Sequence, residues 1–220
     1  MGIQEGNFIK LNYSGSYNGA IFQTTWREVA EENNIASEES IYEPAIICVG
    51  RKQVVTGLDE ALIGCEIGDK GEVTVPPDKG FGEHNPELLK SYNKKDFNKK
   101  VTVGMGVQIP KVGNGVIVNM LGNKVIVDFN LSLAGKELTY QYEIVDVVTD
   151  PTEQLAGLIE LYTERKLQIS RNEDEMTVQL PPGIMYDTKW VQFKPFIIDE
   201  AYQMIPVIKA IVFVERYEKP

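Results

Sequence analysis

Few side chains in this sequence are of the types that carry out nucleophilic or metal chemistry. The 220-residue chain has one histidine, His84, and two cysteines, Cys48 and Cys65. Because a histidine and cysteine metal site needs about three or four such ligands, the sequence predicts no metal centre of this kind and no cofactor. Cys48 lies in an apolar run and no C-x-x-C pattern occurs, which favours a buried free thiol over a disulfide framework.

Two further patterns resemble catalytic motifs but have simpler interpretations. Asp59 and Glu60 are adjacent carboxylic acids, the type that general acid and base catalysis uses. Since neighbours on a helix point apart, we expect a solvated helix face there. Gly104-x-Gly106 lacks the preceding strand that a phosphate loop requires. Separately, we expect His84 to lie in a solvated loop.

Composition excludes several classes of function. The chain has 32 acidic and 22 basic residues and a net charge of −10. An acidic surface repels phosphate, so we expect no nucleic-acid partner. No apolar run reaches the roughly 18 residues of a membrane span, and the first residues lack the basic-then-apolar form of a secretory signal. These features predict a cytoplasmic protein without a membrane partner.

The elements that must position any site fall into groups along the chain. Asn18-Gly19 between two apolar runs predicts a β-hairpin, and Gly57 to Ile63 has helical spacing. Strand patterns follow at 46–49 and 72–75. The strand pattern at 138–148 has no sequence neighbour of similar length, so we expect it to pair with the first segment.

The segment 85–131 differs in charge from the rest of the chain. It has three acidic and seven basic residues, a net charge of +4, which predicts a separate unit inserted into the first domain. Its pattern predicts a short helix over 86–92 and β runs at 106–110, 116–121 and 124–129.

The last segment, 151–220, predicts a small α+β unit. Asp150-Pro151 is a helix-start signature. Further elements are expected at 176–180 (strand), 187–203 (helix with a break near Pro195) and 207–217 (strand).

The stretch Val54–Gly64 resembles the FKBP prolyl-isomerase family, as do Gly68-Asp69-Lys70 and Pro77–Gly82. Val127–Asn130, followed by Leu133–Lys136, is similar to the end of the insert-in-flap domain of SlyD-type members.

The layout of the whole chain is similar to that of long archaeal FKBPs. The resemblance covers about 6–148 and is much weaker over 151–220. It implies an α+β fold with three units: an FKBP-type antiparallel sheet wrapping a helix (1–84 and 132–150), an inserted small β domain in the flap (85–131) and a C-terminal α+β domain (151–220).

The resemblance also implies a prolyl-isomerase pocket. Its residues would be Tyr13, Phe22, Gln23, Val54, Val55, Leu58, Phe81 and Tyr140. The N–H of Val55 would hold a client carbonyl. Gln23 stands where the family usually has aspartate, and Phe81 where it often has tyrosine, so we expect activity that is low for the family. Aromatic residues on strands are also typical of an ordinary core.

The insert has an apolar pattern of its own that suits capture of extended chains. The candidate client-binding residues are Val101, Val103, Met105, Val107, Ile109, Val116, Val118 and Met120. The alternative is that they form the core of this small unit. Its lysines are also explained by solubility alone.

Two functions therefore remain open. One is a prolyl isomerase acting on unfolded or proline-containing polypeptides, and the other is a holdase with a weakened pocket. Nickel handling as in SlyD is disfavoured because no His- or Cys-rich tail is present. The apolar strand at 207–217 predicts a homodimer through 151–220, with docking onto the chain's own FKBP unit as the rival.

Overall fold

A computed structural model describes residues 2–217 of the chain. Met1 and residues 218–220, at the ends of the first and last predicted domains, lie outside the described residues. The chain divides into two compact units, one formed by residues up to Val75 and from Leu138 onward, the other by Pro76–Glu137. Helices and mostly antiparallel strands occur together, which confirms the predicted α+β class.

The regular elements are numbered in chain order. The strands are β1 (Phe8–Tyr17), β2 (Ala20–Thr24), β3 (Ala45–Cys48), β4 (Lys70–Val75), β5 (Leu89–Asn93), β6 (Gly106–Ile109), β7 (Gly113–Leu121), β8 (Lys124–Asp128), β9 (Leu138–Val148), β10 (Gln168–Asn172), β11 (Glu175–Leu180) and β12 (Ala210–Glu215). The α-helices are α1 (Arg27–Glu32), α2 (Thr56–Ala61), α3 (Pro151–Thr163) and α4 (Thr188–Met204).

The first unit is built on a five-stranded antiparallel sheet. β1 pairs with β9 along one edge, while β2 and β3 share its other edge, and β4 pairs with β9. The predicted hairpin is present, because Asn18 and Gly19 both adopt the positive φ that a tight turn needs. β9 pairs with β1 across most of the chain's length, as expected for the strand pattern at 138–148.

Helix α2 lies against this sheet through fully buried leucines. Leu58 is shielded from solvent in α2, as is Leu62 just after it. Gly57 allows the close approach, since a Cβ there would lie 2.9 Å from both γ-carbons of Val75 on β4. The leucines and the inward-facing residues of β1, such as Ile9 and Leu11, give this part of the chain its apolar core.

The C-terminal residues add a three-stranded sheet in which β11 pairs antiparallel with β10 and parallel with β12. Asp150 caps α3 by accepting a hydrogen bond of 2.7 Å from Thr152 N–H, as its start signature predicts. Asp187 caps α4 in the same way through Trp190 N–H. The predicted break near Pro195 is wrong: α4 continues through it, with Trp190 buried before it and Ile197 buried after it.

The C-terminal helices and strands share one hydrophobic core with the first sheet. Phe8, Cys48 and Val148 of that sheet pack in the same cluster as the buried residues of α3, α4 and β11. Gly157 of α3 packs so closely on Ile46 of β3 that no Cβ would fit between them. Residues 151–217 therefore dock on the chain's own sheet, as the rival to the dimer predicted.

The second unit contains a four-stranded antiparallel sheet in the order β5-β8-β7-β6. Its core is formed by Val101, Val107, Ile117, Val125 and Val127. The predicted helix over 86–92 is wrong. A single 3₁₀ turn, Pro86–Leu88, leads into β5, because that segment pairs with β8, a partner that lies far along the chain.

Candidate functional site

Three aromatic rings from neighbouring strands meet on the first sheet. The ring centroids of Tyr13 and Tyr140 lie 6.3 Å apart, and Phe22 meets Tyr140 edge to face at 6.0 Å. β1 and β9 bring the tyrosines together, and β2 supplies Phe22 through the hairpin. The structure therefore gathers three of the predicted pocket residues into one apolar cluster.

The space between these rings depends on Gly15. It lies opposite Tyr140 in the β1–β9 pairing. A Cβ at Gly15 would lie 2.7 Å from Cζ of Phe22 and 2.8 Å from Cε1 of Tyr140. Glycine thus lets both rings approach the backbone of β1.

The polar edge of the cluster is formed by Tyr13 and Gln23. Nε2 of Gln23 donates a hydrogen bond of 3.0 Å to the hydroxyl of Tyr13. Burial raises the pKa of Tyr13, and the bond from Gln23 opposes that shift only in part. Burial also raises the pKa of Tyr140. Both phenols are therefore neutral at physiological pH and available as hydrogen-bond donors.

Val54, Val55 and Leu58 belong to the turn before α2 and to α2 itself. Leu58 is fully buried, while the valines are half-buried. The N–H of Val55 has no acceptor among the described residues, and its carbonyl accepts from Leu58 and Asp59 N–H. This leaves one backbone donor unused beside the start of the helix.

The expectation that Asp59 lies on a solvated helix face is wrong. The residue is only 4% exposed, and its two carboxylate oxygens accept hydrogen bonds of 2.9 Å from Gly50 and Lys52 N–H. The chain turns back over α2 here, so a carboxylate that the sequence places on a surface instead holds a loop.

A cavity of about 650 Å³ opens beside the aromatic cluster. Tyr13, Phe22 and Gln23 lie on its wall, together with Tyr42 and Gly157. The sequence did not point to the last two, because the loop before β3 has no strong pattern and α3 reaches the sheet only through the tertiary fold.

Two comparisons with known proteins identify the family to which the chain belongs. A family model described as FKBP-type peptidyl-prolyl cis-trans isomerase matches residues 2–111, half of the chain. The short-type peptidyl-prolyl cis-trans isomerase of Methanocaldococcus jannaschii is 34% identical over 155 residues, covering 66% of this chain and 94% of that protein. The chain belongs to the FKBP-type peptidyl-prolyl cis-trans isomerase family. It is therefore an enzyme of the prolyl-isomerase class.

Other FKBP relatives cover smaller parts of the chain. SlyD of Pasteurella multocida is 33% identical over 131 residues, covering 57% of this chain and 66% of that protein. A probable FKBP-type 16 kDa isomerase of Pseudomonas fluorescens is 34% identical over 109 residues, covering 47% and 73%. A second family model, FKBP26_C-terminal, matches residues 151–218 of this FKBP.

The remaining predicted pocket residue of this FKBP, Phe81, belongs to the second compact unit. It is half-buried and follows the 3₁₀ turn Pro77–Lys79.

The eight candidate client-binding residues, all in the second unit, differ in burial. Val101 and Val107 are core residues, and Met105, Ile109 and Met120 pack against that core. Val103, Val116 and Val118 are exposed.

His84 is an exposed residue of the second unit, and its ring contacts the side chain of Asp128. Its Nε2 lies 2.9 Å from Oδ2 of Asp128, and Asn130 N–H donates to the same carboxylate at 2.8 Å. Asn85 N–H donates to the side-chain oxygen of Asn130. Burial alone would raise the pKa of Asp128, but the bonds from His84 and Asn130 outweigh it and hold this pKa below its usual value.

Within residues 2–217, no group of three or more His, Cys, Asp or Glu side chains is arranged to hold a metal ion. The helices in that range are all too short or too polar to span a bilayer. Both cysteines are free thiols, and burial raises the pKa of Cys48 to about 11.

Proposed function

We propose that this FKBP isomerises X–Pro bonds in unfolded or partly folded polypeptides, in the pocket edged by Tyr13, Phe22 and Tyr140. The observation that carries the proposal is the meeting of these rings around Gly15, beside an open cavity. Such a site offers apolar surface to a proline ring and has neutral donors at its edge.

The proposed chemistry needs no nucleophile and no acid or base. Rotation about an amide is slow because resonance stiffens the C–N bond, with a barrier of about 18–20 kcal/mol. The twisted amide has lost that resonance and has a smaller dipole, so an apolar pocket disfavours it less than it disfavours the planar ground state. Tyr13 O–H and the unused N–H of Val55 would orient the client's carbonyl groups.

The second unit is proposed to be an insert-in-flap domain that holds the client. Leu89 and Val116 lie directly opposite Asp128 on either side of β8, so the three side chains form one row on the sheet. Leu89, Val116 and Val118 are each about two-fifths exposed. A sheet face with exposed apolar side chains on both sides of Asp128 suits extended chains of many sequences, and holding them raises the local concentration of prolines.

A holdase with little turnover is the second candidate, favoured by one observation. Gln23 offers the Tyr13 hydroxyl a neutral donor where the family usually has an acidic acceptor. In that case the apolar surfaces bind clients and the pocket contributes little catalysis.

A protease-free assay of cis–trans exchange in a short prolyl peptide separates these candidates. Exchange faster than the uncatalysed rate supports the isomerase. Suppression of aggregation of an unfolded protein, with exchange at the uncatalysed rate, supports the holdase and overturns the isomerase.

A cytoplasmic location stays a proposal, supported by the two free thiols.

A homodimer through residues 151–217 also stays a proposal. The dimer is supported by exposed side chains near the start of α4, where Tyr186 is 84% and Val191 57% exposed. Light scattering of the full chain and of a Tyr186→Ser, Val191→Ser variant tests it. A monomeric full chain would refute the dimer.

A further inference from the structure

Gln53 connects the pocket segment to the C-terminal helices. It directly precedes Val54 and Val55, in the turn between β3 and α2. Its side-chain oxygen accepts a hydrogen bond of 2.7 Å from Cys48 N–H, and its Nε2 donates one of 3.1 Å to Oε2 of Glu200 on α4. One side chain therefore joins β3, the pocket segment and α4.

Glu200 is itself held in place by Tyr162 of α3. The Tyr162 hydroxyl donates to the same Oε2 at 3.2 Å. The Tyr162 ring is stacked on Phe193 at 5.8 Å and meets Phe196 edge to face at 5.0 Å. Burial, and then the charge of Glu200, raise the pKa of Tyr162 to about 12, so it stays a donor at physiological pH. The acceptor that Gln53 uses is thus fixed by both C-terminal helices.

The turn has a second anchor on its other side. Asp59 of α2 binds the N–H groups of Gly50 and Lys52, and Lys52 adopts a left-handed backbone with φ of 55°. Val55 N–H has no acceptor among the described residues, so Gln53 is the last side-chain anchor before it. On the helix side, the Val55 carbonyl is held by Leu58 and Asp59 N–H, so the Val55 peptide lies between the Gln53 anchor and α2.

We propose that Gln53 and Glu200 are a positioning pair, through which the C-terminal helices hold the N–H of Val55 in place for the client's carbonyl. This inference rests on the proposed function, since it assigns a use to the Val55 donor. Neither side chain needs to touch the client. A hydrogen-bond donor contributes to catalysis only when it is held within a fraction of an ångström of its productive position.

The pair permits a charge-exchange test. Gln53→Glu keeps an acceptor for Cys48 N–H but places two carboxylates face to face. Glu200→Gln alone keeps an acceptor for Gln53. In the double variant, the new amide at position 200 can donate to the new carboxylate at position 53, so the contact is restored with its direction reversed.

We expect Gln53→Glu to lower kcat of prolyl-peptide exchange by about two- to thirtyfold, the usual range for a residue that acts through others, with KM little changed. The double variant should recover most of this loss. The amide resonances of Val54 and Val55 should shift in Gln53→Glu and return in the double variant. All rates are compared well below the unfolding midpoint of each variant.

Gln154→Glu is the matched control. Gln154 on α3 donates a hydrogen bond of 2.9 Å from Nε2 to the Val148 carbonyl on β9, so it also joins the C-terminal helices to the sheet but does not reach the Gln53 turn. Its replacement should leave kcat unchanged. Tyr162→Phe is a second, milder variant for the case in which Gln53→Glu folds poorly. It keeps the ring contacts of Tyr162 and should also lower kcat.

Unchanged kcat and unchanged Val55 resonances in Gln53→Glu, or equal losses in Gln154→Glu, would overturn the positioning pair. Absence of turnover in the unaltered protein would instead refute the proposed isomerase. The amide resonances then still decide the inference: a shift that the double variant reverses supports positioning of Val55, and no shift overturns it.

Discussion

Gln23 donates a hydrogen to the hydroxyl oxygen of Tyr13 across 3.0 Å. The proton of Tyr13 has no acceptor among the described residues, so one neutral hydrogen bond holds the polar end of this ring. A carboxylate at position 23 would reverse the direction of the bond, because it can only accept.

We expect Gln23→Asp to raise kcat/KM for a short prolyl peptide. A charge-assisted bond from Tyr13 is stronger than the present one by about 1 kcal/mol, which corresponds to about a fivefold gain if the ring orientation limits turnover. Phe81→Tyr is tested alone and in combination. Gln108→Asp, at an exposed position on β6, is the control. The control should show no gain. If Gln23→Asp and Phe81→Tyr also show none, alone or combined, then neither position limits the chemistry.

Gly15→Ala should close the space between the aromatic rings. The added Cβ would lie 2.7 Å from Phe22 and 2.8 Å from Tyr140, so one ring must move into the pocket. We expect kcat/KM to fall about tenfold or more and stability to fall by about 1–3 kcal/mol. Gly106→Ala, where an added Cβ meets nothing within 4 Å, should leave peptide turnover unchanged. Equal kinetics in both variants would exclude this pocket.

Deleting residues 85–131 should leave a folded protein that still acts on short peptides. Gly135 N–H donates to Gly82 carbonyl at 2.8 Å, so the two ends of the deletion are already close enough for a short loop. Acceleration of the refolding of a proline-limited protein should be largely lost. If refolding activity equals that of the full chain, the insert does not hold clients.

The contacts of Asp128 with His84 and Asn130 in the second unit should become less stabilising in acid. Because the folded-state pKa of Asp128 is lowered, its stabilising contribution is complete above the unfolded value of about 3.9 and is lost as pH falls through the lower folded value. Hydrogen exchange of Phe129 N–H, which donates to Leu88 at 3.1 Å, reports this loss. Asp128→Asn should remove the acid-dependent part of the exchange, and the single histidine gives one NMR signal to follow His84. The same acid dependence in Asp128→Asn would contradict this account.

Local patterns predicted much of this molecule. Asn18-Gly19 indicated the hairpin that places Phe22, because a short stretch of sequence carries its turn chemistry. The grouping of Tyr13, Phe22 and Tyr140 was implied only by the family resemblance, since Tyr13 and Tyr140 meet through the pairing of β1 with β9.

Several features that depend on distant partners were missed, although the pairing of 138–148 with the first segment was expected. The contact between Gln53 and Glu200 joins residues 147 positions apart, and no local spacing indicates it. Asp59 looked solvated because nothing in its helix shows that Gly50 and Lys52 fold back over it. The segment after Pro86 looked helical, and pairing with β8 makes it a strand.

The pairing of β1 with β9 also constrains folding during synthesis. Phe8 on the first strand lies opposite Val148, so the ribosome must make the whole second unit before the first sheet can close. The second unit draws its sheet and core from a continuous stretch of chain and can fold earlier. Phe8 and Cys48 then stay uncovered until α3 and α4 emerge, so a nascent folding helper itself exposes apolar surface for most of its translation.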